Sequence, residues 1–82
     1  DSIMEGTYAC YPNPFTDQIR VSFVASGLGR EDVAIFDMLG RKVYGDAFYY
    51  MEGENRITLH LDLPAGVYVL KVGNRVQRIM RN

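Results

Sequence analysis

From residue 18 onward, apolar and polar positions alternate with a period of two, the signature of strands with one face buried. Over 18–24, Ile19, Val21 and Phe23 share one side and Arg20 and Ser22 the other, which predicts a half-buried strand. Residues 32–36 form a short apolar strand, Met38-Leu39-Gly40-Arg41 a turn, and 42–48 the second arm of a hairpin. Glu52-Gly53-Glu54 then interrupts the aromatic run Phe48-Tyr49-Tyr50. Alternation resumes over 55–61, with Ile57, Leu59 and Leu61 inward and Arg56, Thr58 and His60 outward. Pro64 presets a turn dihedral and Gly66 accepts backbone angles closed to other residues, so they precede a strand over 67–72. With a short initial strand over 7–11 and a final one after Gly73-Asn74, the chain carries about seven short strands and no helical pattern. This predicts an all-β fold, an immunoglobulin-like antiparallel β-sandwich.

The last hairpin sets turn chemistry against burial. Gly73-Asn74 favours a two-residue loop with positive φ at both positions, which puts Val72 opposite Arg75 and leaves both faces chemically mixed. A three-residue loop pairs Val72 with Val76 instead and gathers Tyr68, Leu70, Val72, Val76 and Met80 on one face, with only Arg78 out of place. One residue of slip flips every side chain of the strand. Burial favours the second register, and that is the expectation.

Composition narrows the function. The 82 residues suffice for one domain, and 48% hydrophobic content with six tyrosines and four phenylalanines supplies a core. A net charge of −1 without runs of either sign argues against an electrostatic grip on nucleic acid or an anionic membrane. Arg75, Arg78 and Arg81 fall on alternating faces of a strand, as edge charges that deter aggregation or as receptor contacts. Cys10 is the only cysteine and cannot form an intramolecular disulfide; His60 is the only histidine. A small hydrolase built on Cys10, His60 and Asp62 would lack an oxyanion motif and a deep pocket, so no enzymatic activity, metal or cofactor is expected. No segment has the ~20 apolar residues of a membrane-spanning helix, and the first 25 residues contain no signal-peptide core.

Four segments in order, Tyr11-Pro12-Asn13-Pro14-Phe15, Ile35-Phe36-Asp37-Met38-Leu39-Gly40-Arg41-Lys42-Val43, Leu63-Pro64-Ala65-Gly66-Val67-Tyr68-Val69-Leu70-Lys71-Val72 and Arg78-Ile79-Met80-Arg81, resemble the C-terminal sorting domain of the type IX (Por) secretion system. The resemblance covers residues 11–82. It implies a secretion label carried by proteins of Bacteroidetes-type bacteria. A signal peptide takes the precursor to the periplasm, the C-terminal domain directs the attached cargo across the outer membrane, and a surface sortase-like protease commonly removes the label. The implied partners are the translocon, that protease and an upstream cargo domain, and the implied location is the periplasm in transit, then the cell surface or medium. On this reading residues 1–6 are a linker remnant and 7–82 the sorting domain.

Within that resemblance, Pro12, Asn13, Pro14, Asp37, Gly40, Pro64, Gly66 and Tyr68 read mainly as scaffold: prolines ending an edge strand, Asp37 and Gly40 forming a tight turn, Tyr68 burying its ring. The final strand reads as the recognition element. A translocon component would add a strand to it, with Ile79 and Met80 filling shallow pockets and Arg78 or Arg81 setting orientation. Ile79-Met80 departs from the uniformly β-branched pair expected there. The same exposed edge would also serve a homodimer through the terminal hairpin. The alternative is a structural or carbohydrate-contacting immunoglobulin-like module, similar to flagellar hook-cap domains, using Tyr44, Tyr49 and Tyr50 as an aromatic patch; the chain lacks the tryptophan-glycine segment of that type.

Overall fold

Each run of alternation becomes a strand. The computed structural model describes residues 2–82; Asp1, the first residue of the linker-like segment, lies outside the described residues. The strands are β1 (Ala9–Tyr11), β2 (Gln18–Ala25), β3 (Gly29–Asp37), β4 (Lys42–Tyr50), β5 (Gly53–His60), β6 (Gly66–Val72) and β7 (Arg75–Arg81). They form two sheets, ordered β1-β2-β5 and β4-β3-β6-β7, in which all neighbouring strands run antiparallel. This is the immunoglobulin-like sandwich with its fourth strand paired to the third rather than to the fifth.

Pairing carries several strands beyond their predicted ends. β3 starts at Gly29 and β4 runs to Tyr50, so the aromatic run lies inside a strand and the break falls at Met51 and Glu52. Asn55 holds that corner: its carboxamide donates to the Met51 and Gly53 carbonyls and accepts from the Met51 N–H. β1 begins only at Ala9, because Thr7 spends its hydroxyl bridging the chain instead, accepting from Val24 N–H and donating to Met4 O.

The inward residues meet between the sheets. Ile19, Val21, Phe23 and Leu59 come from the first sheet, and Val33, Ile35, Tyr50, Tyr68, Leu70, Val72 and Ile79 from the second, all buried; Leu61, just past β5, joins them, whereas Ile57 is half-buried. Phe23 stacks edge-on against Tyr50, with ring centres 5.6 Å apart, and lies 5.7 Å from Phe48. Phe15 and Ile3, from outside the strands, complete the core.

The terminal hairpin takes the register that burial alone disfavoured. Val72 pairs with Arg75 across the two-residue Gly73-Asn74 turn; Gly73 takes positive φ (58) but Asn74 does not, contrary to expectation, because a hairpin turn with glycine at its first central position needs positive φ only there. Val76 and Met80 therefore point outward, and Ile79, opposite Tyr68, enters the core. The inward polar position this creates is satisfied rather than stranded. The Arg75 guanidinium donates to the Ile3 carbonyl, lies 3.9 Å from the Glu31 carboxylate and sits over the Tyr8 ring. None of these three partners lies in the hairpin, so the apolar pattern of its two strands does not reveal them.

Candidate functional site

β7 is an edge strand, and the antiparallel ladder leaves the backbone groups of alternate residues, Val76, Arg78 and Met80, facing away from β6. Exposed edges of this kind invite pairing with other chains. Here the C-terminal half of the edge is already occupied by the loop between β1 and β2. The Asn13 carboxamide acts as a surrogate strand residue: its Nδ2 donates to Arg78 O (3.2 Å) and its Oδ1 accepts from Met80 N–H (3.0 Å). One step further, Phe15 N–H donates to Met80 O (2.8 Å) and Asn82 N–H to Phe15 O (2.9 Å). Pro12 and Pro14, each preceded by a cis peptide, flank the clip and bring no competing N–H. The Phe15 ring anchors it, with no solvent exposure. Of the outward backbone groups, this leaves the Val76 N–H and C=O and the Arg78 N–H without a partner from the clip.

Clip and strand enclose a cleft of ≈ 400 Å³ lined by Asn13, Pro14, Val67, Arg78, Ile79 and Met80. Of the four residues read as recognition contacts, Arg78 and Met80 stand outward at this cleft and Ile79 turns its side chain into the core. Arg81 is half-buried: its Nη1 donates to the Asn82 backbone oxygen and its Nε is buried without an acceptor. Sequence reasoning did not join Asn13 and Pro14 to the last strand, and nothing in the local pattern marks Val67.

The other motif residues sit in tight turns. Asp37 Oδ1 accepts the N–H groups of Leu39 and Arg41, both at 2.9 Å, its Oδ2 pairs with Arg41 Nε at 2.8 Å, and Gly40 takes positive φ (83). The Arg41 N–H leads the causes that hold this carboxyl below its ordinary value, against a smaller opposing effect of burial, so the turn is supported at neutral pH and loses that support as acid protonates Asp37. Tyr68, one turn before the clip's cleft, buries its ring and donates its hydroxyl to Pro64 O at 2.5 Å, the tyrosine corner of immunoglobulin-like sandwiches. Pro64 and Gly66 form the corner that this bond closes.

The residues of the hydrolase reading are not brought together. Cys10 lies opposite Val21 in β1 and packs against the core, whereas His60 ends β5, two strands away and exposed. Ordinary strand spacing puts them roughly 10 Å apart in each direction within the sheet. Burial also pushes the Cys10 thiol up to about 11, leaving it protonated and unreactive at neutral pH. Burial, then the neighbouring Cys10 charge, raises Tyr8 to about 12, opposed by Arg75. Both groups hold their protons more tightly folded than unfolded, so the stability they contribute is complete below their ordinary values of 9.0 and 10.0 and is lost as pH rises through about 11 and 12. The melting temperature is expected to fall across that alkaline window and to fall less in Cys10→Ser; a profile unchanged by that substitution would contradict the assignment.

The three tyrosines of the sugar-binding alternative do not form one platform. Tyr50 is in the core, Tyr44 packs against it, and only Tyr49 projects fully. Among the described residues no cluster of His, Cys, Asp or Glu is arranged to hold a metal.

The fold is a small antiparallel sandwich whose terminal edge strand is clipped by a loop from the other end of the chain. The model of the secretion system C-terminal sorting domain matches residues 9–82, from the first residue of β1 to the last of the chain, and the protein belongs to that family. Its members direct secretion of the cargo to which they are attached, across the outer membrane by the type IX system, and the family is not known to be catalytic. No curated protein matches the chain.

Proposed function

We propose that the cleft between the clip and β7 is the surface through which the secretion machinery reads this label. The observation that carries the reading is the meeting of two motifs, Pro12-Asn13-Pro14-Phe15 and Arg78-Ile79-Met80-Arg81, that lie at opposite ends of the sequence and share one cleft and three hydrogen bonds, with a fourth from Asn82 beside them. Simple strand addition along the whole of β7 is disfavoured, since Asn13 and Phe15 already hold its C-terminal half. A partner instead pairs with Val76 and the Arg78 N–H, lays an apolar group on Met80 and Pro14, and offers an acceptor to the Arg78 guanidinium. Ile79 and Arg81 keep the strand in register beneath this surface. The short open stretch also limits a homodimer through the terminal hairpin to the same few groups. The attached cargo passes through the periplasm to the cell surface or medium, and a surface sortase-like protease removes the label on its N-terminal side.

The test is export of an inert carrier fused to residues 2–82 in a bacterium with a functioning type IX system. Arg78→Glu combined with Met80→Asp alters only outward side chains, so its stability should stay within about 0.5 kcal/mol of the parent while the carrier accumulates in the periplasm. Normal export of this folded double variant would sink the reading.

A further inference from the structure

The segment read as a linker is stapled to the fold. Met4 N–H donates to Val24 O (2.8 Å), Ile3 bridges Ala25 and is buried, and the Ser2 carbonyl accepts from Ser26 N–H (2.8 Å) and Oγ (3.2 Å). Ser2 N–H reaches the Tyr50 hydroxyl at 3.3 Å. The chain upstream of the label thus enters the sandwich at one defined place, the corner where the loop between β2 and β3 meets the end of β4.

That corner carries an apolar patch with no role in the fold. Leu28, Tyr49 and Met51 are 80%, 81% and 68% exposed, and they surround a concavity of ≈ 660 Å³ whose lining includes Tyr50 and Arg30. Gly29, the first residue of β3 and paired with Tyr50, lies so close to the Tyr50 ring that a Cβ there would collide with it, and Leu28 beside it projects into solvent. A concave cluster of exposed large apolar side chains marks an interaction surface rather than incidental exposure.

We infer that this corner seats the domain that precedes the label in the same precursor, which meets it with an apolar face of its own. Membership of the C-terminal sorting family puts the cargo on the N-terminal side, and the hydrogen bonds of Ser2 bring the cargo's chain to the rim of the patch. The inference is independent of how the last strand is read. Tethering makes the choice of occupant a physical one. A domain joined by a short connection is present at an effective concentration of about 1 mM, so a face with a Kd of only about 0.1 mM would be roughly nine-tenths occupied. A free partner of the same weakness would leave it empty at ordinary concentrations. The cargo is therefore held in a fixed pose against its label, and removal of the label uncovers the patch.

The experiment uses the intact precursor in a Cys10→Ser background, with Leu28→Cys or Tyr49→Cys as the probe and Val76→Cys, on the far sheet edge, as the control. Maleimide labelling is followed before and after proteolysis between the two domains. Both corner sites should label about 10-fold more slowly in the intact precursor, while the control site keeps its rate. Equal rates before and after cleavage would overturn the proposal. Protection that persists after cleavage and grows with the concentration of the released label would also overturn it, because a second copy would then be the occupant.

Discussion

Phe15→Ala is expected to remove about 3–5 kcal/mol of stability, a large share of the ~4–12 kcal/mol that a chain of this length has in total. The ring has no solvent exposure and sits among side chains of both sheets, so its removal leaves a cavity that the rigid strands around it cannot close. The second part of the loss lies in the backbone. The N–H of Phe15 bonds to Met80 of β7 and its C=O to Asn82 just beyond the strand, and the ring is what holds them there. Urea denaturation measures the total. Hydrogen exchange distinguishes the parts: the amides of Met80 and Asn82, which depend on the clip, should exchange faster than the amides at the β2–β5 pairing. A loss below about 1 kcal/mol would mean that the ring is not a core residue.

Deleting residues 79–82 should abolish export of an attached carrier and also collapse the cooperative melting transition. Ile79 is 1% exposed and packs opposite Tyr68, so the deletion takes a buried side chain from the core as well as the outward Met80 and the half-buried Arg81. It also removes one of the two partners of Asn13, the Met80 N–H, and both partners of the Phe15 backbone. Loss of export by this truncation alone therefore does not distinguish an unread label from an unfolded one. Its melting curve, set beside the folded Arg78→Glu/Met80→Asp variant, does. If the truncated domain melted like the parent, Ile79 would have to be reassigned to the surface; if it were exported like the parent, the chain's end would not be the part that is read.

The strands and the sandwich were legible because β2 and β5 have one wet and one dry face, and alternation records that difference directly. What escaped detection was held together by residues distant in sequence. The register of the last hairpin turns on Arg75, whose partners Ile3, Tyr8 and Glu31 lie in three other segments. Asn13 reads locally as a turn residue between prolines, yet its carboxamide bonds to backbone groups 65 and 67 positions away. Ile3 and Met4 are the only large apolar residues of the first six and give no period to detect, although the fold buries Ile3. The aromatic run Phe48-Tyr49-Tyr50 looks like a single patch, but alternation within β4 sends Tyr50 to the core and Tyr49 to solvent.

The two ends of the described chain lie at opposite poles of the molecule. Ser2 is fixed beside Ser26 and Tyr50, at the pole where β7 begins; the clip grips β7 where it ends, and the body is 35 Å along its longest axis. Tension between a cargo leaving at Ser2 and a machine holding the terminal strand would run along the strands, at right angles to the hydrogen bonds that join them. Loaded in that direction, the bonds yield together rather than one after another.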